Sequence, residues 1–237
     1  LIATQAVKRG YLLGKGVISS KKIGINHKEY GVTSIGVVRF AEVTMQHLGI
    51  DMHTQPFTVK FTGGPNGDVA GNAMRLLLAR CPQVQIKLVI DGSGALYDPM
   101  GLNREALTAI VLKADLEAYD PAALNPGGYL LYRRQTRNDG MRQLYRKVLR
   151  SEGGQEESWM SNDEFYRAFN NLPFQVSSDL FIPAGKGSQP LGNFRFAGKS
   201  ALFAYITPLI FIAGQPPVYQ KSAEVRLKTR RHQAHSP

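Results

Sequence analysis

The sequence predicts an α/β fold: a doubly wound, mostly parallel sheet with helices on both faces. Three observations predict it. Phe57-Thr58-Val59-Lys60-Phe61-Thr62 alternates apolar and polar residues and is rich in β-formers, which marks a strand. Gly63-Gly64-Pro65-Asn66-Gly67 can only turn, and Asp68–Arg80 then carries Val69, Ala73, Leu76 and Leu77 at helical spacing. Pro82 forces the helix to end, and the apolar run Val84–Ile90 reads as a second strand. Strand, turn, helix and strand make a βαβ unit, whose strands run parallel with a right-handed crossover. The expected fold is therefore Rossmann-like.

The other elements are placed around that unit. Before it, Val37, Val38, Ala41, Met45 and Leu48 fall on one helical face, with Thr33 or Ser34 as N-cap and Gly49 as the stop. After it, Asp91-Gly92-Ser93-Gly94 is a second glycine-rich turn, and 103–112 is a helix. The stretch 115–137 is less periodic, broken by Pro121, Pro126, Gly127 and Gly128. Residues 141–149 read as a basic helix. Ser161-Asn162-Asp163-Glu164 has the form of a capping sequence before a short helix to Phe169. Asp179-Leu180-Phe181-Ile182-Pro183 reads as a buried strand of the same sheet.

A chain of 237 residues that is 43% hydrophobic can bury a substantial core. A single cysteine, Cys81, leaves no internal disulfide and agrees with a cytoplasmic setting; it is expected to be an inert thiol. Residues 200–214 are apolar but interrupted by Pro208, and they fall short of the roughly twenty residues of a membrane span. No metal-ligand set is expected. The net charge of +11 would suit a polyanion, but the basic residues are dispersed, with local density at 132–150 and 226–231, and no recognition motif accompanies them. They read as solvated faces and a basic tail, so nucleic acid is not the expected partner.

The chemistry centres on the loop after the first strand. A helix N-terminus offers unpaired N–H groups and partial positive charge to a pyrophosphate, provided that side chains do not block the approach. Gly63, Gly64, Gly67 and Gly71 meet that need, although the spacing Gly64-Pro65-Asn66-Gly67-Asp68-Val69-Ala70-Gly71 is one residue longer than the usual fingerprint. By itself the loop is equally a ligand-free turn. Asp68 reads as a helix cap turned away from the phosphates, or as a direct ligand contact. Asp91 ends the second strand about twenty residues on, where an acid accepts hydrogen bonds from the ribose diol and repels a 2′-phosphate. That predicts NAD rather than NADP; the alternative is a plain turn aspartate.

At these residues a resemblance emerges. His27-Lys28-Glu29-Tyr30-Gly31-Val32-Thr33-Ser34, together with Phe57-Thr58-Val59-Lys60 through Gly67-Asp68-Val69-Ala70-Gly71-Asn72, resembles the large NAD-specific glutamate dehydrogenases of bacteria. Asp91-Gly92-Ser93-Gly94, Asp98-Pro99-Met100-Gly101-Leu102 and Asp179-Leu180-Phe181-Ile182-Pro183-Ala184 resemble the wider glutamate, leucine, phenylalanine and valine dehydrogenase superfamily. The resemblance implies a pyrophosphate loop at Gly63, Gly64, Gly67, Asp68 and Val69, and a ribose site at Asp91 and Ser93. It further implies that Thr33 and Ser34, with Pro183 and Ala184, lie near the nicotinamide. The family's catalytic lysines and aspartate, and most of the glutamate or 2-oxoglutarate site, would lie in a domain upstream of this sequence.

Three functions from different classes follow. The first is the cofactor domain of an NAD-dependent glutamate dehydrogenase, or of an enzyme for a related amino acid, oligomeric as the whole enzyme and inactive as this piece alone. The second is a non-catalytic nucleotide-binding module, and the third a polyanion-binding protein. Residues 1–185 form the expected NAD-binding domain, with 1–30 as a lead-in. Leu1 in place of methionine suggests a piece of a longer protein. Residues 186–237 lose both the α/β rhythm and the resemblance, since no Glu-Gly-Ala-Asn-like motif follows, and are expected to pack poorly.

Overall fold

The computed structural model describes residues 5, 7–10 and 26–185. The expectations for 186–237, including the apolar run at 200–214, lie outside the described residues. Helix α1 spans His27–Tyr30 and α2 Val32–His47; β1 (Phe57–Thr62), α3 (Asp68–Arg80) and β2 (Val84–Ile90) follow. Then come β3 (Gly94–Tyr97), α4 (Arg104–Ile110), two single turns of 3-10 helix, β4 (Tyr129–Asp139), β5 (Arg142–Ser151), β6 (Gly154–Ser161), α5 (Asn162–Gln175) and β7 (Leu180–Pro183). The strands form one sheet in the order β6-β5-β4-β3-β2-β1-β7.

The βαβ unit stands as expected. β1 pairs in parallel with β2 on one side and with β7 on the other. Alternation along β1 explains the layers. Phe57, Val59 and Phe61 face a core shared with α2, α3 and α4. Thr58, Lys60 and Thr62 point to the opposite face, where Leu88, Ile90 and Tyr145 pack against Phe165, Phe169 and Leu172 of α5. Helices therefore cover both faces. Asp179 fixes the start of β7, accepting from the N–H (2.8 Å) and the hydroxyl (2.7 Å) of Thr58.

The sheet is mixed rather than mostly parallel: β2 through β6 pair antiparallel. The connections decide this. Two or three residues join β2 to β3, β4 to β5 and β5 to β6, and such short links cannot make the crossover that parallel strands require. Residues 141–149 are accordingly strand and not helix. On β5, Val148 enters the α3-side core and Tyr145 the α5-side core, so both faces are partly apolar and the strand period is obscured. The two-residue turn before it is Gly140-Met141, with Gly140 at φ 60° in the first position, as a hairpin turn of this kind requires.

Smaller differences have specific causes. The N-cap of α2 is Gly31, in the left-handed region at φ 63°, where an added Cβ would strike the Asn72 side chain at 2.8 Å. Leu48 is exposed at the end of α2, and Gly49 (φ 81°) is the stop. α4 is shorter than 103–112, opening at Asn103, whose side chain accepts from the Ala106 N–H at 2.9 Å. The Ser161 and Glu164 capping box opens α5, but the helix continues to Gln175 through Pro173. Lys60 supports that end, donating to the carbonyls of Pro173 and Val176 at 2.8 Å each; burial lowers its pKa. Cys81 is buried, and burial pushes its thiol up to about 11, which keeps it protonated and unreactive near neutrality.

Tyr119 yields a pH-dependent prediction. It is 1% exposed, accepts from the Asn103 N–H at 3.1 Å, and has its phenol pushed up to about 12, chiefly by burial. A folded-state pKa raised above the unfolded value gives stability that is complete below about pH 10 and lost as pH rises toward 12. Chemical denaturation between pH 9 and 12 should show Tyr119→Phe losing less stability with pH than the parent, by about 2–3 kcal/mol across the window at ~1.36 kcal/mol per unit. Parallel curves for the two proteins would contradict it.

Candidate functional site at the C-terminal edge of the parallel strands

In open α/β sheets, a crevice opens at the C-terminal ends of the strands where neighbouring connections leave in opposite directions. Here that point lies at β1, whose chain continues into α3 on one face while β7 arrives from α5 on the other. The loop leaving β1 is held on three sides. Gly63 N–H donates to the Ile90 carbonyl at 2.7 Å, and Ala184 N–H to the Thr62 carbonyl at 2.6 Å. Leu112 N–H donates to the Pro65 carbonyl at 2.9 Å.

Close packing explains the glycines. Gly63 has φ 122°, and a Cβ there would lie 2.7 Å from the Ala184 carbonyl carbon. A Cβ on Gly64 would collide with the Asp91 carboxylate, and one on Gly71 with the Pro65 carbonyl oxygen and, at 2.8 Å, with Leu112. Gly71 therefore serves the approach of the loop to its own helix. The cost of this wedge is visible at Leu112, a non-glycine residue at φ 62°.

The N-terminus of α3 faces the loop. Gly67 is its N-cap, and no side chain caps it among the described residues. Asp68 is the first helical residue and does not act as the expected cap; its carboxylate adds negative charge to the first turn. Gly64, Gly67, Asp68 and Val69 are all part-exposed, so the lip of the loop is open to a ligand.

Asp91 lies beneath Gly64. One carboxylate oxygen accepts from Ser93 N–H (2.7 Å), Ser93 hydroxyl (2.6 Å) and Gly94 N–H (3.1 Å). The other accepts from Leu116 N–H at 3.1 Å and keeps one lone-pair direction. Turn-building and ligand-binding readings of Asp91 are therefore compatible, one on each oxygen. Ser93 itself is buried with its hydroxyl committed to Asp91.

Ser34 is fully buried and donates to the Val69 carbonyl at 2.8 Å, which docks α2 on the first turn of α3. Thr33 beside it is part-exposed. Ala184 reaches the loop at Gly63, and Pro183 pairs with Thr62. The structure thus gathers Gly63, Gly64, Gly67, Asp68, Val69, Asp91, Ser93 and Ala184 at one sheet edge, with Ser34 behind the helix. Sequence reasoning missed the supporting network. Lys28 Nζ donates to Asn66 Oδ1 at 2.5 Å, and the Asn66 amide donates to Asp115 at 3.4 Å. Buried Asn72 donates to the carbonyls of Lys28 and Asp68 at 2.8 and 2.9 Å. Asn66 and Asn72 lie inside the glycine block, but nothing local in the sequence reveals their distant partners.

The sequence profile of the Glutamate/Leucine/Phenylalanine/Valine dehydrogenase family matches residues 24–189. The chain belongs to this family. A probable NAD-specific glutamate dehydrogenase of Schizosaccharomyces pombe is 30% identical over 163 residues, covering 68% of this chain and 13% of that protein. The NAD-specific glutamate dehydrogenase of Saccharomyces cerevisiae is 32% identical over 125 residues, 52% of this chain and 11% of that one. That of Mycobacterium tuberculosis is 39% identical over 67 residues, 28% and 4% respectively. The chain spans only a small part of these relatives. Among the described residues, no helix is long and apolar enough to cross a membrane.

Gly71 tests the packing of this family loop. Gly71→Ala should destabilise the protein by about 1–3 kcal/mol, the usual cost of overpacking, even though alanine is the better helix former. Gly36→Ala, on α2 with open space around its Cβ, is the control and should be neutral or stabilising. Equal effects in urea denaturation would show that the Pro65 contact does not restrict the site.

Proposed function

We propose that residues 1–185 are the NAD-binding domain of an NAD-dependent glutamate dehydrogenase. The observation that carries this reading is the uncapped N-terminus of α3, opposite a loop whose glycines admit close approach, with Asp91 at the end of the adjacent parallel strand. The names of the relatives support the choice of NAD and of glutamate. Bound NAD would accept a hydride from the α-carbon of L-glutamate, giving an imino acid that water converts to 2-oxoglutarate and ammonia.

This chain's residues bind and orient. The backbone N–H groups of Gly64, Asp68 and Val69, with the positive end of the helix dipole, bind the pyrophosphate, and Gly63 and Gly67, whose own N–H groups are spent on Ile90 and Gly64, leave room for its approach. The free side of Asp91 accepts from the adenosine ribose, and Ser93 holds that carboxylate in place. Thr33, Pro183 and Ala184 border the nicotinamide end, and Ser34 sets the distance between α2 and α3. The catalytic groups and most of the amino-acid site belong to a domain that precedes this segment.

Asp91→Ala is the test. Loss of a charge-assisted hydrogen bond, at about 1.5–3 kcal/mol, should weaken NAD binding roughly ten- to a hundredfold. NADP should lose less, because a repulsion goes too. The variant also loses its turn bonds, so its melting temperature should fall. The NAD to NADP ratio is nonetheless a clean readout, since an unfolded fraction lowers both equally. Titration calorimetry that finds both NAD affinity and discrimination unchanged would remove Asp91 from the site.

A further inference from the structure

The strand beside the Asp91 turn carries an arginine whose charge is spent on two acids. β4 runs past the turn that follows Asp91: Arg133 N–H donates to the Ser93 carbonyl at 2.7 Å. The next residue, Arg134, makes ion pairs with Asp115 at 2.8 Å and Glu117 at 3.3 Å. Between those two acids stands Leu116, whose N–H donates to Asp91. Arg134 is therefore adjacent in sequence to a contact of the Asp91 turn, and both its partners flank a direct contact of Asp91.

We infer that Asp115 and Glu117 are specificity-determining residues: by holding Arg134 they withhold from the ribose end of the site a guanidinium suited to a 2′-phosphate. This inference rests on the dinucleotide reading above and adds to the repulsion from Asp91 itself. A guanidinium binds phosphate through two parallel charge-assisted hydrogen bonds, so a free Arg134 would favour the phosphorylated cofactor. With its two partners and Asp91 it joins a cluster of three carboxylates whose cations, Arg134 and the nearby Lys28, are outnumbered, which disfavours phosphate. Asn66 adds directional control, because its amide donates to Asp115 and ties the carboxylate to the glycine loop.

The arrangement is open to solvent. The side chains of Arg134, Asp115 and Glu117 are 54%, 39% and 29% exposed. Exposed pairs of this kind are weak, so isosteric neutralisation of the acids releases Arg134 without disturbing the core.

The experiment measures NAD and NADP binding to the chain by calorimetry, for the parent, for Asp115→Asn with Glu117→Gln, and for that pair combined with Arg134→Ala. The double variant should bind NADP more tightly and lower the NAD to NADP ratio about tenfold, as one added charge-assisted bond predicts. The triple variant should lose most of that gain. A double variant that binds NAD with an unchanged ratio would overturn the inference and leave the dinucleotide reading standing. A ratio that falls equally in the triple variant would overturn it too, by assigning the effect to repulsion alone. A parent chain that binds neither dinucleotide would overturn the function proposed above, and this inference with it.

Discussion

The end of β1 has no room for side chains, and the site depends on that constraint. Thr62 and Gly63 are gripped by β7 on one side and β2 on the other, through hydrogen bonds to Ala184 and Ile90. Gly64 then passes directly over Asp91, and the chain turns back so that Pro65 lies against Gly71. The contacts at Gly63, Gly64 and Gly71 each need a missing Cβ. Together they aim the first turn of α3 at the crevice and bring the strand-end acid under the loop. The parallel pairing of β1, β2 and β7 would survive a looser turn, but the placement of helix dipole against carboxylate would not.

Asp91 illustrates how one residue can serve fold and site together. Three donors from its own turn hold one carboxylate oxygen, and so fix the other in direction. A buried or half-buried carboxylate without such partners would carry a desolvation cost and a mobile side chain. With them, the acid is pre-set, and its remaining capacity faces the loop and the 115–117 turn. The same logic applies to Ser34, where a hydroxyl that seemed suited to a ligand is consumed in fixing the spacing of two helices.

What the sequence revealed, and what it hid, follows from the range of the interactions. The parallel unit was legible because its signals are local: alternation in 57–62, a glycine turn, a helical stripe, and a proline stop. The family motifs lie in the same stretch, which is why the glycine loop and Asp91 stand out in the sequence as candidates. The antiparallel extension was not legible at 141–149, because Tyr145 and Val148 enter cores on opposite faces and intervening basic residues mask the period. The N-cap of α2 was misplaced by two or three residues because Gly31 depends on its contact with Asn72, forty-one positions away. The links from Lys28 to Asn66 and from Asp115 to Arg134 are likewise tertiary, and no spacing rule announces them.

The extension also explains how a strongly basic segment can be part of a folded sheet. Its cations rest on the chain's own aromatic rings: Arg137 is 4.5 Å from the Trp159 ring centre, Lys147 4.8 Å from Tyr129, and Arg146 5.0 Å from Tyr132. Arg146 is further paired with Glu157 at 2.7 Å across the β5–β6 ladder. Such contacts let the long side chains cover apolar ring faces while keeping their charged ends in water. They also shape what the formal charge of +11 means for binding, since Arg134 and Arg146 are ion-paired and Arg137, Arg146 and Lys147 lie over aromatic rings. Net charge counts residues, whereas an approaching anion meets a field shaped by these pairings. At the sheet edge beside Asp91 the carboxylates of Asp91, Asp115 and Glu117 outnumber the two cations that face them, Arg134 and Lys28.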